Sequence, residues 1–204
     1  MSKTIALTFD DGPNTVTTPL VLEKLEKYRI TASFFLVGNN INAESSKVSE
    51  RAHKMGCELN NHSLTHSVMP ELTAEEICRE IELTNEKIRS VTGNDPRFFR
   101  PPYIAVNEIM HENIDMTFIA GIGAEDWLEK ITAEMRADRI LSQAKDGDII
   151  LLHDSEGNTQ TVAALDIIIP ELLRQGYRFL TVSELFDENG VTPRRGTVYS
   201  NIRQ

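Results

Sequence analysis

Residues 3–13 read KTIALTFDDGP, an apolar run from Ile5 to Phe9 that delivers two adjacent carboxylates, Asp10 and Asp11, into a Gly-Pro turn. A short apolar run closed by turn formers predicts a strand. Neighbouring side chains on a strand face opposite ways, so the two acids act together only if the strand ends there. Like charges held close repel, and one partner's pKa rises unless a cation or hydrogen bonds compensate. The plainer reading is a solvated turn, since Asp, Gly and Pro are ordinary turn residues. What the rest of the chain brings beside this turn decides between them.

Outward from this stretch, strand-like and helix-like runs alternate. PLVLEKLEKY (19–28) repeats Leu20, Leu22, Leu25 and Tyr28 at helical spacing. ITASFFLVG (30–38) is continuously apolar, as suits a strand covered on both faces. SSKVSERAHKM (45–55) predicts a helix stopped at Gly56, and CELNN (57–61) a short strand. LTAEEICREIELTNEKIRSVTG (72–93) is a long amphipathic helix with a capping box from Thr73 to Glu76 and a stop at Gly93. RFFR (97–100), MTFIAGI (116–122), DIILLH (148–153) and YRFLTV (177–182) read as further strands, with helices near 132–145 and 160–175 separating the last three. Seven strands in this alternation predict an α/β fold with parallel pairing, either an open doubly wound sheet or a barrel. Residues 188–204 lose periodicity and read as a terminal extension or linker following a domain at 1–187.

The 204 residues suit one domain. A net charge of -10 argues against nucleic acid as the partner. No apolar stretch approaches membrane-spanning length, and no secretory leader pattern stands at the start. The expectation is therefore a cytoplasmic chain or a mature or excised module. Cys57 and Cys78 form no framework and are expected in the core.

Reactive residue types gather where strands end: Asp10 and Asp11, His62 and His66, Arg100 and Tyr103, Asp126 and Trp127, His153 and Asp154. In parallel α/β folds that end of the sheet carries the active site. His62 and His66, four apart, would face one way on a helical turn and could share an ion. HSLTH lacks the Glu of the His-Glu-x-x-His proteases, so a third ligand must come from elsewhere. An aspartate of FDDG is a candidate, with the other left as a base and the cation relieving their repulsion. His153, with Asp126 to orient it, suits a general acid. Arg100 could hold the catalytic aspartate ionised. Trp127 could wall a sugar-sized pocket, and Pro101-Pro102 would stiffen the loop that presents the Tyr103 N–H to an oxyanion.

TFDDGP, HSLTH, RPPY, EDW and LLHD, in this order, resemble the polysaccharide deacetylase family, the NodB-homology domain of carbohydrate esterase family 4. The resemblance runs from Lys3 to Val182. It implies a distorted (β/α) barrel, here with about seven parallel strands. It also implies one divalent metal ion (Zn, Co or Ni) held by Asp11, His62 and His66. By the same resemblance Asp10 is the general base and His153 the general acid, with Asp126 tuning His153 and Arg100 orienting Asp10. Tyr103 would supply the oxyanion donor through its backbone. Trp127 and Leu151 would wall the acetate pocket, with Pro101 beside the substrate. Two departures touch the groove: Ile104 stands where the family often has Gly, and Gly123 where it often has Asp.

The expected substrate is an acetylated polysaccharide or oligosaccharide, with xylan esters preferred over the N-acetyl groups of chitin or peptidoglycan. The expected setting is extracellular, as a module of a secreted enzyme tethered to other catalytic or binding modules. Two other classes compete. A haloacid-dehalogenase-type phosphatase needs Asp-x-Asp, whereas here the acids are adjacent and the histidines would go unused. A glycan-binding module without turnover would not need the full set of reactive residues.

Overall fold

Strand β1 (Lys3–Asp10) is buried from Thr4 onward, and its alternation of side chains sorts inside from outside. The computed structural model describes residues 3–204. Ile5, Leu7 and Phe9 pack with Val21, Leu22, Leu25 and Leu165 in the layer between strands and helices. Ala6 instead joins Phe35, Phe98, Ile119, Ile149 and Leu180 in a second cluster inside the sheet's curve. Thr8 and Asp10 continue that inner row upward.

After β1 come α1 (Thr17–Tyr28), β2 (Ser33–Leu36), α2 (Ser45–Lys54), β3 (Glu58–Asn61), α3 (Ala74–Thr92), β4 (Phe98–Phe99) and α4 (Glu108–Asn113). Then follow β5 (Thr117–Ile119), β6 (Ile122–Gly123), α5 (Ala133–Gln143), β7 (Ile149–His153), α6 (Thr159–Arg174), β8 (Tyr177–Leu180), α7 (Val182–Glu188) and β9 (Val198–Tyr199). The ladders between these strands are parallel, in the order β6-β7-β1-β2-β3-β4-β5-β9. Strand β8 pairs with Lys3–Ala6 of β1, below the Thr8–Asp10 segment that pairs with β2. This is the expected α/β distorted barrel. The Thr73–Glu76 capping box opens α3, and Gly93 closes it in the left-handed conformation that L side chains resist.

The strand count rises from seven to nine among the described residues. MTFIAGI splits into β5 and β6 because the Ile119 and Ala120 carbonyls turn to the guanidinium of Arg100. Gly121 then passes so close to β7 that a Cβ there would lie 2.7 Å from the Ile149 carbonyl oxygen. The second addition is β9, inside the stretch read as extension or linker. It pairs with β5, while Asn201 bridges to Asp148 at the start of β7. Tyr199 is buried against Phe186, so residues 197–202 fill the gap between the two sides of the barrel. Helix α7, with its own capping box at Thr181–Glu184, plugs the lower end through Val182, Leu185 and Phe186. Cys57 is buried as expected, but Cys78 is only partly so. It stands beside the inward line of Ile77 and Ile81 rather than on it.

Candidate active site

Strand β1 ends between the two acids. Asp10 is its last residue, and Asp11 takes the left-handed conformation at φ 77°. That reversal brings both carboxylates to one imidazole: His62 Nε2 lies 3.8 Å from Asp10 Oδ2 and 3.6 Å from Asp11 Oδ1. The turn is pinned by a residue from the far end of the chain. Asp154 is buried, its Oδ1 accepts the Gly12 N–H at 3.1 Å, and its own N–H donates to the Asp10 carbonyl. A Cβ on Gly12 would meet Asp154 Oδ2 at 2.5 Å, so only glycine fits. Burial, with the charges of Asp11 and Asp10, pushes the Asp154 carboxyl up to about 7 against the hydrogen bonds from Thr18 and Gly12.

The two histidines converge without a helical turn, contrary to the expectation from their spacing. Residues 62–66 form a loop in which Ser63 and His66 have φ of 64° and 59°. Side chains hold it instead. Asn61 Oδ1 accepts the Ser63 N–H, and buried Glu80 on α3 accepts from the Leu64 and Thr65 amides and the Thr65 hydroxyl. His62 Nδ1 donates to the Arg100 carbonyl at 2.7 Å, which leaves Nε2 bare toward Asp11. His66 Nε2 lies 3.4 Å from the same Asp11 Oδ1.

Asp11, His62 and His66 thus offer ligand atoms within 4.8 Å of one another. Asp11 Oδ1 is buried with no hydrogen-bond partner among the described residues. An unpartnered buried carboxylate oxygen between two ring nitrogens fits a cation. Burial opposes ionisation of Asp11, but the His62 ring and the other histidines hold its pKa below the usual carboxylate range. Burial and neighbouring His62 lower the pKa of His66, which favours the neutral ring that a metal needs.

Two further pairs complete the site. Arg100, expected to hold an aspartate, is 0 % exposed inside the barrel and reaches Asp10 Oδ1 at 2.5 Å, with Thr8 Oγ1 at 2.8 Å. Its guanidinium lies over the Phe35 ring, 4.0 Å from the centroid. His153 ends β7 and points Nδ1 at Asp126 Oδ1, 2.8 Å away. Burial draws the His153 pKa down, but the hydrogen bond and charge of Asp126, with Asp10 and Asp11 beyond, push it up to about 9.

The sequence profile of the family described as polysaccharide deacetylase matches residues 1–118. The chain belongs to the polysaccharide deacetylase family. It is 50 % identical over 202 residues to a bifunctional xylanase/deacetylase of Pseudobutyrivibrio xylanivorans, covering 98 % of this chain and 33 % of that protein. The chain therefore spans about a third of that relative's length. The Xyl-CE4 domain of a multidomain xylanase from the hindgut metagenome of Trinervitermes trinervoides superposes with a TM-score of 0.97 at 48 % identity, covering 100 % of this chain and 99 % of that one. A family 4 acetyl xylan esterase from Clostridium thermocellum, in complex with a cobalt ion, gives 0.96 at 40 % identity, covering 99 % and 100 %.

In this member of the family a cavity of about 590 Å³ opens over the strand ends. Asp10, Asp11, His62, His66 and His153 share its lining with Pro101, Tyr103, Trp127 and Leu151. Arg100 and Asp126 stand behind Asp10 and His153, at 2.5 and 2.8 Å. Tyr103 and Trp127 project their rings into solvent at 66 % and 59 % exposure, as befits surfaces that stack on a ligand rather than core aromatics. Tyr103 sits edge-on to His66 and Trp127 edge-on to His153. Both departures from the family pattern, Ile104 and Gly123, lie on the cavity wall.

Sequence reading passed over Glu80, Asn61, Asp154 as an anchor, Arg136, Asn158 and Thr161. Two left a signal. Glu80 stands among Ile77, Ile81 and Thr84, and Arg136 among Ala133, Ala137 and Ile140, each a charge on the inward face of its helix. A buried charge demands partners, and its partners here are the site.

Proposed function

We propose that this protein is a metal-dependent esterase that removes O-acetyl groups from xylan. The observation that carries the reading is the convergence in one cavity of the Asp11–His62–His66 cluster, an Arg-held Asp10 and an Asp-held His153. The likeness to the P. xylanivorans xylanase/deacetylase and the C. thermocellum acetyl xylan esterase supports the substrate.

Asp11, His62 and His66 would hold a divalent ion, Zn, Co or Ni, which supplies Lewis-acid polarisation of an acetyl carbonyl and acidifies a water. Asp10 keeps Oδ1 on Arg100 and presents Oδ2 to take the proton of the attacking water. The Tyr103 N–H, on a turn at φ 59° that Pro101 and Pro102 stiffen, donates to the oxygen that gains charge. His153, held through Nδ1 by Asp126, delivers the proton on Nε2 to the departing sugar oxygen. The exposed rings of Tyr103 and Trp127, with Leu151 and Pro101, receive the sugar and its acetyl methyl. The module acts outside the cell, tethered in a longer chain beside glycan-degrading modules. In support, the P. xylanivorans relative is three times as long, and the termite-gut domain belongs to a multidomain xylanase.

Acetate release by EDTA-stripped protein, with and without added Zn or Co, tests this on acetylated xylan beside N-acetylglucosamine oligomers. Metal-restored release from xylan alone is expected. Release from the amide substrate instead would move the activity to N-deacetylation. Metal binding with no release from either would leave a glycan-binding module.

A further inference from the structure

Arg136 on α5 is 2 % exposed, yet its guanidinium partners are neutral oxygens. Nε donates to the Ile131 carbonyl at 2.8 Å and Nη2 to the Leu128 carbonyl at 3.3 Å. Nη1 donates to Asn158 Oδ1 at 2.5 Å and to Thr161 Oγ1 at 2.8 Å. Both of those side chains go on to Asp126. Thr161 Oγ1 lies 2.7 Å from Asp126 Oδ2, and Asn158 Nδ2 lies 3.0 Å from the His153 carbonyl and 3.5 Å from Asp126 Oδ2.

A guanidinium has five donors and no acceptor. Thr161 Oγ1 must therefore accept from Arg136, and its single proton is left for Asp126. Asn158 must likewise turn its carbonyl oxygen to Arg136, which aims its NH₂ at His153 and Asp126. The His153 N–H adds a third donor to Asp126 Oδ2, at 2.8 Å. Asp126 Oδ2 is thus surrounded by donors, and Oδ1 alone remains for His153 Nδ1. This polarity keeps Asp126 an acceptor, places a proton on Nδ1, and leaves Nε2 as the ring atom facing the cavity.

We propose that Arg136 is a positioning residue for proton donation by His153, acting through Thr161 and Asn158. The proposal rests on the assignment of His153 as the acid that protonates the leaving oxygen. The rival role is a plain clamp joining α5, the 128–131 turn and α6.

Leaving-group dependence separates the two. A 4-nitrophenolate leaves without a proton, whereas a sugar alkoxide needs one. Metal-loaded full chains of Arg136→Met, Thr161→Val, Thr161→Ser and Asp126→Asn are assayed on acetylated xylan and on 4-nitrophenyl acetate. Asp126→Asn, Arg136→Met and Thr161→Val are expected to lose about tenfold or more in kcat on xylan, with KM little changed, and roughly threefold or less on the nitrophenyl ester. Thr161→Ser, which keeps the hydroxyl, recovers the wild-type ratio between the two substrates. Thr161→Val, equal in volume to the native side chain, carries the test alone if Arg136→Met fails to fold. Equal losses on both substrates, or none, in Arg136→Met and Thr161→Val overturn the proposal while Asp126→Asn discriminates. If Asp126→Asn itself does not discriminate, the acid assignment of His153 fails and takes this role with it.

Discussion

Arg100 Nη1 and Asp10 Oδ1 meet at 2.5 Å in the interior of the barrel, and neither side chain is more than 3 % exposed. A pair so placed fixes the Asp10 carboxylate but adds little net stability, because desolvation offsets attraction. Removing one member is another matter. Arg100→Met is expected to lower unfolding free energy by about 3–5 kcal/mol, since it strands a buried carboxylate. Adding Asp10→Asn to it should restore part of that stability and none of the activity. Urea unfolding of the two singles and the double, with acetate release, checks both halves.

Asp10→Asn alone should retain the divalent ion and lose about a hundredfold or more in kcat. Calorimetric titration with Co(II) beside turnover on acetylated xylan reads the two quantities separately. Full turnover would remove Asp10 as the base.

Glu80 touches neither the cavity nor the cluster, yet it carries the backbone between the histidines. Glu80→Ala leaves the Leu64 and Thr65 amides without that acceptor and should weaken metal affinity about 10- to 100-fold. Competition against a metallochromic chelator measures it. His62→Ala, which removes a proposed ligand outright, should fall further.

The His153 pKa, raised to about 9, makes a pH prediction for the metal-free protein. An imidazole free of these partners titrates near 6.5. The raised folded value means that His153 contributes stability fully present below pH 6.5 and lost as pH climbs through about 9. Histidine NMR should place its midpoint near 9 in the wild-type chain and well below that in Asp126→Asn. Thermal unfolding of the wild type should decline across the same window.

Ile104 is a β-branched residue at φ 55°, 38 % exposed on the cavity wall. Such a conformation costs about 1–2 kcal/mol, which glycine avoids. Glycine in turn has a more disordered unfolded chain, worth about 0.4–1 kcal/mol. Ile104→Gly should therefore leave Tm nearly unchanged or slightly raised, while KM for acetylated xylan rises as an apolar contact is lost. A marked fall in Tm would mean that Ile104 is there for packing.

Much of this arrangement was legible in the sequence, and the reasons are local. The run Ile5–Phe9 before two acids and a Gly-Pro turn specifies a strand end whatever surrounds it. Thr73, Glu76 and Gly93 specify a helix through their own backbone. The residues that close the site were less visible, because long-range partners define them. Nothing near Asp154 in sequence announces that it holds the turn at Gly12. The histidine spacing pointed to two rings that do converge, but through the wrong geometry, since the loop depends on Asn61 and Glu80 rather than on helical periodicity. Strand β9 was missed because Val198 and Tyr199 are too few to form a pattern, and their pairing with β5 is purely tertiary.

Strand β1 is an interior strand of the sheet, and the two partners that complete it, β7 and β8, come from the last third of the sequence. Synthesis makes β1 first and these partners late. At about 5–20 residues per second, a ribosome takes roughly seven to thirty seconds to reach His153 and Asp154 after it has added Asp10. Through that interval β1 has only β2 to pair with, and the turn at Gly12 lacks its anchor. The catalytic end of the barrel is thus begun by the first residues translated and completed only near the end of translation. On the proposed function, capture of a metal by Asp11, His62 and His66 in their final geometry would then mark a nearly finished chain.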